Sequence, residues 1–363
     1  MEVTINPSSI KGKLHASSSK SEMQRVVASA LLAKGESIID NPSFCDDANV
    51  SLRIAEHLGA NISFSHNQIA IKGGLQTKQH ELNFGESALA LRMFTPIAGL
   101  CGANLILTGE KSLFHRPVNF LIDTLKPFGL EFSSEKNSLP INLRGKLTAN
   151  SVNISGRESS QVLTGLLMAL PCLTNPSIIN VENLKSKPYI LLTLDVLKKF
   201  GIQIEANYDL SEFKIPGKQN YLPQNYKLEG DWSGMSFMIV AAAIAGNISI
   251  IGLNKNSKQS DIKLLKVLQK VGVDYSWNQD ILEIQKNKLE SFDFDATDCP
   301  DLFPPLVSLA SHCKGISKIS GVHRLQYKES SRGITLKNEF AKLGIRIEIQ
   351  NDEMLVYGGQ LTG

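Results

Sequence analysis

Hydrophobic and polar positions recur along this chain in one order, five times over. An apolar stretch at helical spacing is followed by small residues, a β-branched run, a second helix ending at glycine, and then alternating strands. The second helices close in AEHLG, LKPFG, LKKFG, LQKVG and FAKLG, at Gly59, Gly129, Gly201, Gly272 and Gly344. Successive glycines stand 70, 72, 71 and 72 residues apart. Glycine at that point supplies the left-handed conformation that ends a helix. The runs SIIDN, NLILTG, SIINVEN, ISIIG and ISKISG predict a strand before each second helix. ANISFS, LEFSS, IQIEA, VDYSW and IRIEI predict another after each glycine, with a partner such as QIAIKG, DILEIQ or EMLVYGG. Each repeat therefore reads as β-α-β-β behind a leading helix, and the chain as α/β.

A unit that cannot bury its apolar face alone needs neighbours. Three repeats are expected to close one lobe over 18–227. The N-terminal strand, around Val3 to Leu14, is expected to join the last two repeats in a second lobe, 1–17 plus 228–363. That lobe then holds two of three expected repeats, so the expectation is a sixth repeat beyond Gly363 that this chain lacks. A length of 363 residues suits two domains at about 100–200 residues each.

Lys plus Arg is 38 and Asp plus Glu is 35, a net charge of +3. Such balance argues against a nucleic-acid surface or a basic membrane tail. The longest apolar run, Phe237 to Gly246, falls short of the ~20 residues of a spanning helix. MEVTINPSSIKGKLHA has no apolar core, so no signal peptide is expected there. The five cysteines form no CxxC pair and the histidines no HxxxH. Neither a disulfide framework nor a metal site is expected, a cytoplasmic setting fits, and most cysteines are expected in the core.

Candidate chemistry gathers at helix starts. Ser19-Lys20-Ser21-Glu22 reads as an S-x-x-E capping box, and Met23, Val26, Val27, Ala30 and Leu31 give the helix an apolar face. Lys20 and Ser21 then fall in the first turn, where unpaired N–H groups and the dipole already favour an anion. A lysine opposes that dipole, so the segment reads as a phosphate or carboxylate site with Arg25 one turn on, or as a solvated pair. Arg92, the group Ser159, Ser160 and Gln161, then Asp231, then Asp301 beside Pro300, occupy the corresponding starts in later repeats. Singly they read as caps; together they would attract anions. Arg116 precedes Pro117, and Arg324, Lys328, Glu329 and Arg332 fall within nine residues. That mixed run reads as a solvated face, or as cations for phosphate with a carboxylate for proton transfer.

The stretches SKSEMQR, LTGEKSLFHRP, SSQVLTGLLMA, SKPYILLTLDVLKKFG, EGDWSGMSFMIVAAAI, CPDLFPPLVSLA and KESSR, in this order, resemble the EPSP synthase family. The resemblance implies a two-lobed enolpyruvyl transferase fold built from α/β repeats. It also implies transfer of the enolpyruvyl group of phosphoenolpyruvate to shikimate 3-phosphate with release of phosphate, a step of chorismate and aromatic amino-acid biosynthesis. It implies no cofactor, no nucleic-acid or membrane partner, and a monomer. By motif, Lys20 would touch both substrates. Ser21, Arg25, Ser159, Ser160, Gln161, Ser186, Asp301 and Lys328 would hold shikimate 3-phosphate, with Tyr189 nearby. Arg116, Gln161 and Arg332 would hold phosphoenolpyruvate. Asp301 would accept the proton of the attacking hydroxyl, and Glu329 with Lys20 would serve the methylene carbon.

The related UDP-N-acetylglucosamine enolpyruvyl transferases share that fold. The SSQ and SKPY stretches, and the lack of a cysteine at Leu113–His115, argue against them. A chain that only binds shikimate 3-phosphate is the non-enzymatic alternative. The family's G-N-A-G-T-A-x-R run reads here with Glu86, Ala88 and Leu89 in place of Asn, Gly and Thr. Ser331 replaces the Asp of KETDR, and Trp232 the Ala of GDAS.

Overall fold

All five helix-ending glycines adopt positive φ: 123° at Gly59 and 78–82° at Gly129, Gly201, Gly272 and Gly344. A side chain is strained in that region, so glycine is what lets the chain leave each helix and turn into a strand. The computed structural model describes residue 6 and residues 8–135, 137–326, 328, 330–359 and 361–362. The chain divides into two compact lobes, Ser18–Leu228 and Met1–Ser17 with Glu229–Gly363. The second boundary lies one residue beyond 227, because the Leu228 amide donates to Asp40 O at 3.1 Å.

The larger lobe carries helices α1 (Lys20–Leu32), α2 (Asp46–His57), α3 (Ala88–Gly99), α4 (Lys111–Phe114), α5 (Asn119–Leu125), α6 (Gln161–Ala169) and α7 (Lys187–Lys199). The smaller carries α8 (Trp232–Ala245), α9 (Leu264–Lys270), α10 (Phe303–Ser311) and α11 (Arg332–Lys342).

Among the described residues the chain forms five four-stranded sheets with the same internal order. In each, a parallel edge strand lies beside the strand between the two helices, followed by the antiparallel pair that comes after the glycine. Ser151–Ser155 pairs parallel with Ser177–Glu182, which pairs antiparallel with Glu212–Ile215. The parallel edge strand has no counterpart in the sequence patterns except at the N-terminus, where the strand expected around Val3 to Leu14 forms as Ile10–His15. In two sheets it comes from a distant part of the chain. Asn225–Lys227 pairs with Glu36–Asp40, and Ile10–His15 pairs with Gly246–Ile251. The expected strand IQIEA is reduced to Glu205–Ala206.

Helix α1 is buried from Glu22 to Leu31, on nearly every side rather than on one apolar face. Each fully buried Val or Leu in such a helix stabilises by about 1.5–3 kcal/mol. Helices α3 and α6 approach closely: a Cβ on Gly165 would strike Met93 O and lie 2.6 Å from Pro96 Cγ. In the smaller lobe Asp231 caps α8, accepting from the Gly234 amide at 3.0 Å. Trp232 is fully buried, donates from Nε1 to Asn254 O at 3.1 Å, and lies 6.3 Å from the Trp277 ring. The Trp at the family's Ala position is thus core.

Only Cys299 and Cys313 are buried; Cys45 and Cys172 are exposed and Cys101 is intermediate, which corrects the expectation of mostly core cysteines. Cys45 occupies the N-cap position of α2 without a side-chain capping hydrogen bond. Among the described residues no helix is long and apolar enough to cross a membrane.

Candidate active site

At the start of α1, Ser19 Oγ accepts from the Glu22 amide at 3.3 Å, one half of the expected capping box. The Glu22 carboxylate accepts from the Tyr226 hydroxyl at 2.7 Å. Lys20, exposed in the first turn, pairs with Asp47 at 2.9 Å. Ser21 is half-buried beside it.

Arg25 is 1% exposed, which overturns the solvated reading. Its Nη1 donates to Ser21 O at 2.6 Å, its Nε to Thr193 Oγ1 at 2.9 Å, and its Nη2 to Tyr189 O at 3.3 Å. The Tyr189 ring centroid lies 5.9 Å from its Cζ. Burial pulls the guanidinium down to about 10, with Tyr189 and Glu22 opposing, so it stays charged at neutral pH. Buried cations of this kind need partners on every side. Here carbonyls and a hydroxyl from α1 and α7 supply them.

Thr193 extends the network, its Oγ1 lying 3.2 Å from Thr164 Oγ1 on α6. At the start of α6, Ser159 and Ser160 are buried, and Ser159 Oγ accepts from the Gln161 amide at 3.1 Å. Gln161 Oε1 accepts from Arg92 Nη1 on α3 at 2.9 Å. Ser186, buried before α7, has φ 55° and ψ 41°. Such a left-handed serine persists only where the surroundings hold it there. Residues far apart in sequence thus converge: Ser21 and Arg25 with Tyr189 and Thr164, and Gln161 with Arg92.

A small pocket lies beside this group, lined in part by Arg92, Leu113, Arg116, Phe120 and Glu158. Arg92 is not among the residues that the family motifs assign to either substrate. Its signal was a lone cation in the apolar run ALALRMF.

In the smaller lobe Asp301 sits in a turn of 3-10 helix, Pro300–Leu302. Its Oδ1 accepts from Arg332 Nη1 at 2.7 Å and from Lys328 Nζ at 3.2 Å. Burial pushes the carboxyl up, but the charges and hydrogen bonds of Lys328 and Arg332 outweigh it and hold the group well below the usual carboxylate range. Arg324, pulled down by burial, feels Asp298 and Asp301 in opposition. Arg332 opens α11. Glu329 and Tyr327 lie outside the described residues. Among the described residues no group of three His, Cys, Asp or Glu could hold a metal ion.

The profile for "EPSP synthase (3-phosphoshikimate 1-carboxyvinyltransferase)" matches residues 5–363. The chain is 33% identical over 359 residues to the 3-phosphoshikimate 1-carboxyvinyltransferase of Clostridium kluyveri, covering 98% of this chain and 84% of that protein. It is 35% identical over 365 residues to the enzyme of that name from Brachyspira hyodysenteriae, covering 99% and 86%. It is 36% identical over 359 residues to that from Methanococcus maripaludis, covering 96% and 84%. In fold it is similar to the EPSP synthase of Acinetobacter baumannii, with TM-score 0.80 at 20% identity over 99% of this chain and 84% of that one. The enolpyruvyl transferase NikO of Streptomyces tendae gives TM-score 0.75 at 18% identity, over 97% and 82%. Family profile and curated relatives agree across both lobes: this chain is a member of the EPSP synthase family.

Proposed function

We propose that this chain transfers the enolpyruvyl group of phosphoenolpyruvate to a hydroxyl of shikimate 3-phosphate and releases inorganic phosphate. The observation that carries the reading is the convergence in the larger lobe of Ser21, Arg25, Ser159, Gln161 and Arg92, drawn from three helices of three repeats. Both substrates are phosphorylated, so the site needs several cations and N–H groups held in place before binding.

In this reading Ser21, Arg25, Ser159, Ser160, Gln161, Ser186 and Lys328 bind shikimate 3-phosphate. Arg25 donates three of its five N–H groups to Ser21, Tyr189 and Thr193. Its part is therefore to hold the start of α1 against α7 while contributing positive potential. Arg116, Gln161 and Arg332 bind phosphoenolpyruvate, joined by Arg92. Lys20 touches both substrates.

Chemically, a proton adds to the methylene carbon of phosphoenolpyruvate and leaves cationic character on carbon 2. The acceptor hydroxyl attacks that carbon and gives up its proton, forming a tetrahedral ketal. Loss of phosphate and of one methyl proton restores the enol ether. Asp301 takes the hydroxyl proton; Glu329 and Lys20 move the proton at the methylene carbon; fixed carboxylates suit the cationic centre. Asp301 is a weak base while Lys328 and Arg332 both hold it. Engagement of Arg332 by the substrate carboxylate or phosphate would restore its basicity. A cytoplasmic monomer belongs to the same reading.

Mass spectrometry of the product tests it, with shikimate 3-phosphate and UDP-N-acetylglucosamine offered as rival acceptors. Enolpyruvyl addition to shikimate 3-phosphate alone is expected. Addition to the nucleotide sugar would overturn the assignment.

A further inference from the structure

Glu86 stands where the family run has Asn, one residue before Ser87, which caps α3 by accepting from the Ala90 amide at 3.3 Å. A carboxylate there suits the helix dipole. It also puts negative charge at the start of the helix that carries Arg92. Glu86 accepts from Lys111 Nζ at 2.9 Å and from Ser112 Oγ at 3.4 Å. Next in sequence comes Leu113, which lines the pocket with Arg92 and Arg116.

The two loops are tied at further points. Asn83 Nδ2 donates to Glu110 Oε1 at 3.0 Å, and the Glu110 amide donates to Gly85 O at 2.7 Å. Lys111 itself has φ 41°, a left-handed conformation rare outside glycine. The hydrogen bond and charge of Lys111 hold the Glu86 carboxyl below its ordinary value, and Glu86 raises Lys111 in return. Glu110 and Asp46 also act on this ammonium.

We propose that Lys111 is a positioning and charge-compensating residue for phosphoenolpyruvate: it neutralises Glu86 at the start of α3 and tethers the short helix α4 that leads to Arg116. The inference rests on the transferase reading above. Left alone, the Glu86 carboxylate would work against binding of an anionic substrate in the pocket that Leu113 lines, the residue after its partner Ser112. The pair is exposed, so its removal should leave the fold intact.

The test is KM for phosphoenolpyruvate and kcat for the parent, Lys111→Met, Glu86→Gln and the double variant. Lys111→Met should raise KM by about two- to fivefold, the range of exposed charge pairs, with kcat within about twofold. Adding Glu86→Gln should bring KM back to the parent value, and Lys111→Arg should hold it there. An unchanged KM in Lys111→Met, or a double variant as poor as the single one, would overturn the proposal. A parent that shows no turnover would overturn the transferase reading instead. In that case calorimetric titration of the same four proteins with phosphoenolpyruvate decides this proposal by the same order of affinities.

Discussion

Arg332 Nη1 lies 2.7 Å from Asp301 Oδ1, and Lys328 Nζ reaches the same oxygen at 3.2 Å. The half-buried carboxylate is thereby kept ionised against its desolvation. A group whose folded pKa is depressed stabilises above its unfolded value, about 3.9 for Asp, and loses that contribution as pH falls through the folded value. The stability advantage of the parent over Asp301→Asn should therefore be flat from pH 7 to about 5 and shrink below about 4. Thermal unfolding across that range reads it. An advantage that is absent at pH 7, or that does not shrink below pH 4, would mean that the ion trio does not persist in solution.

The same substitution should lower kcat by about 10²–10⁴-fold, the usual contribution of a positioned proton acceptor. The asparagine keeps the shape of the side chain but cannot take the hydroxyl proton. Single-turnover rates separate this from a defect in binding. A kcat within tenfold of the parent would remove Asp301 from the role of base.

Arg25 makes three hydrogen bonds in a buried site. Arg25→Met should cost about 1.5–3 kcal/mol of stability, since bonds to a charged group are lost and their acceptors stay buried. Arg25→Lys should rescue little, because an ammonium cannot match the planar fork. Denaturant midpoints check both. A lysine variant as stable as the parent would contradict the geometric argument.

Gly165→Ala sets two effects against each other. Within a helix, alanine is favoured over glycine by up to about 1 kcal/mol. At this position its methyl would meet Met93 O and come within 2.6 Å of Pro96 Cγ on α3. Overpacking costs about 1–3 kcal/mol, so net destabilisation is expected in chemical denaturation. A stabilised variant would mean that α3 and α6 are free to separate.

Much of the fold is legible in the sequence because its strongest signals are local. The glycines that end the helices, and the β-branched runs around them, fall where the five sheets require them. Of the parallel edge strands only the N-terminal one, Ile10–His15, is legible. Asn225–Lys227 is three residues long and pairs with Glu36–Asp40 at the other end of the lobe, so no local pattern announces it. At the site, Lys20, Ser21 and Arg25 stand out as polar residues at a helix start. The burial of Arg25 does not, since its partners Tyr189 and Thr193 lie more than 160 residues away in sequence. The Arg92–Gln161 and Glu86–Lys111 pairs were hidden for the same reason: each joins two segments that only the fold brings together.

The central claim is enolpyruvyl transfer, and phosphate release tests it most directly. The chain is incubated with phosphoenolpyruvate and shikimate 3-phosphate together, then with each alone, and inorganic phosphate is followed over time. Release that requires both substrates and disappears in Asp301→Asn is the predicted result. Release from phosphoenolpyruvate alone, or none with both substrates present, would contradict the account.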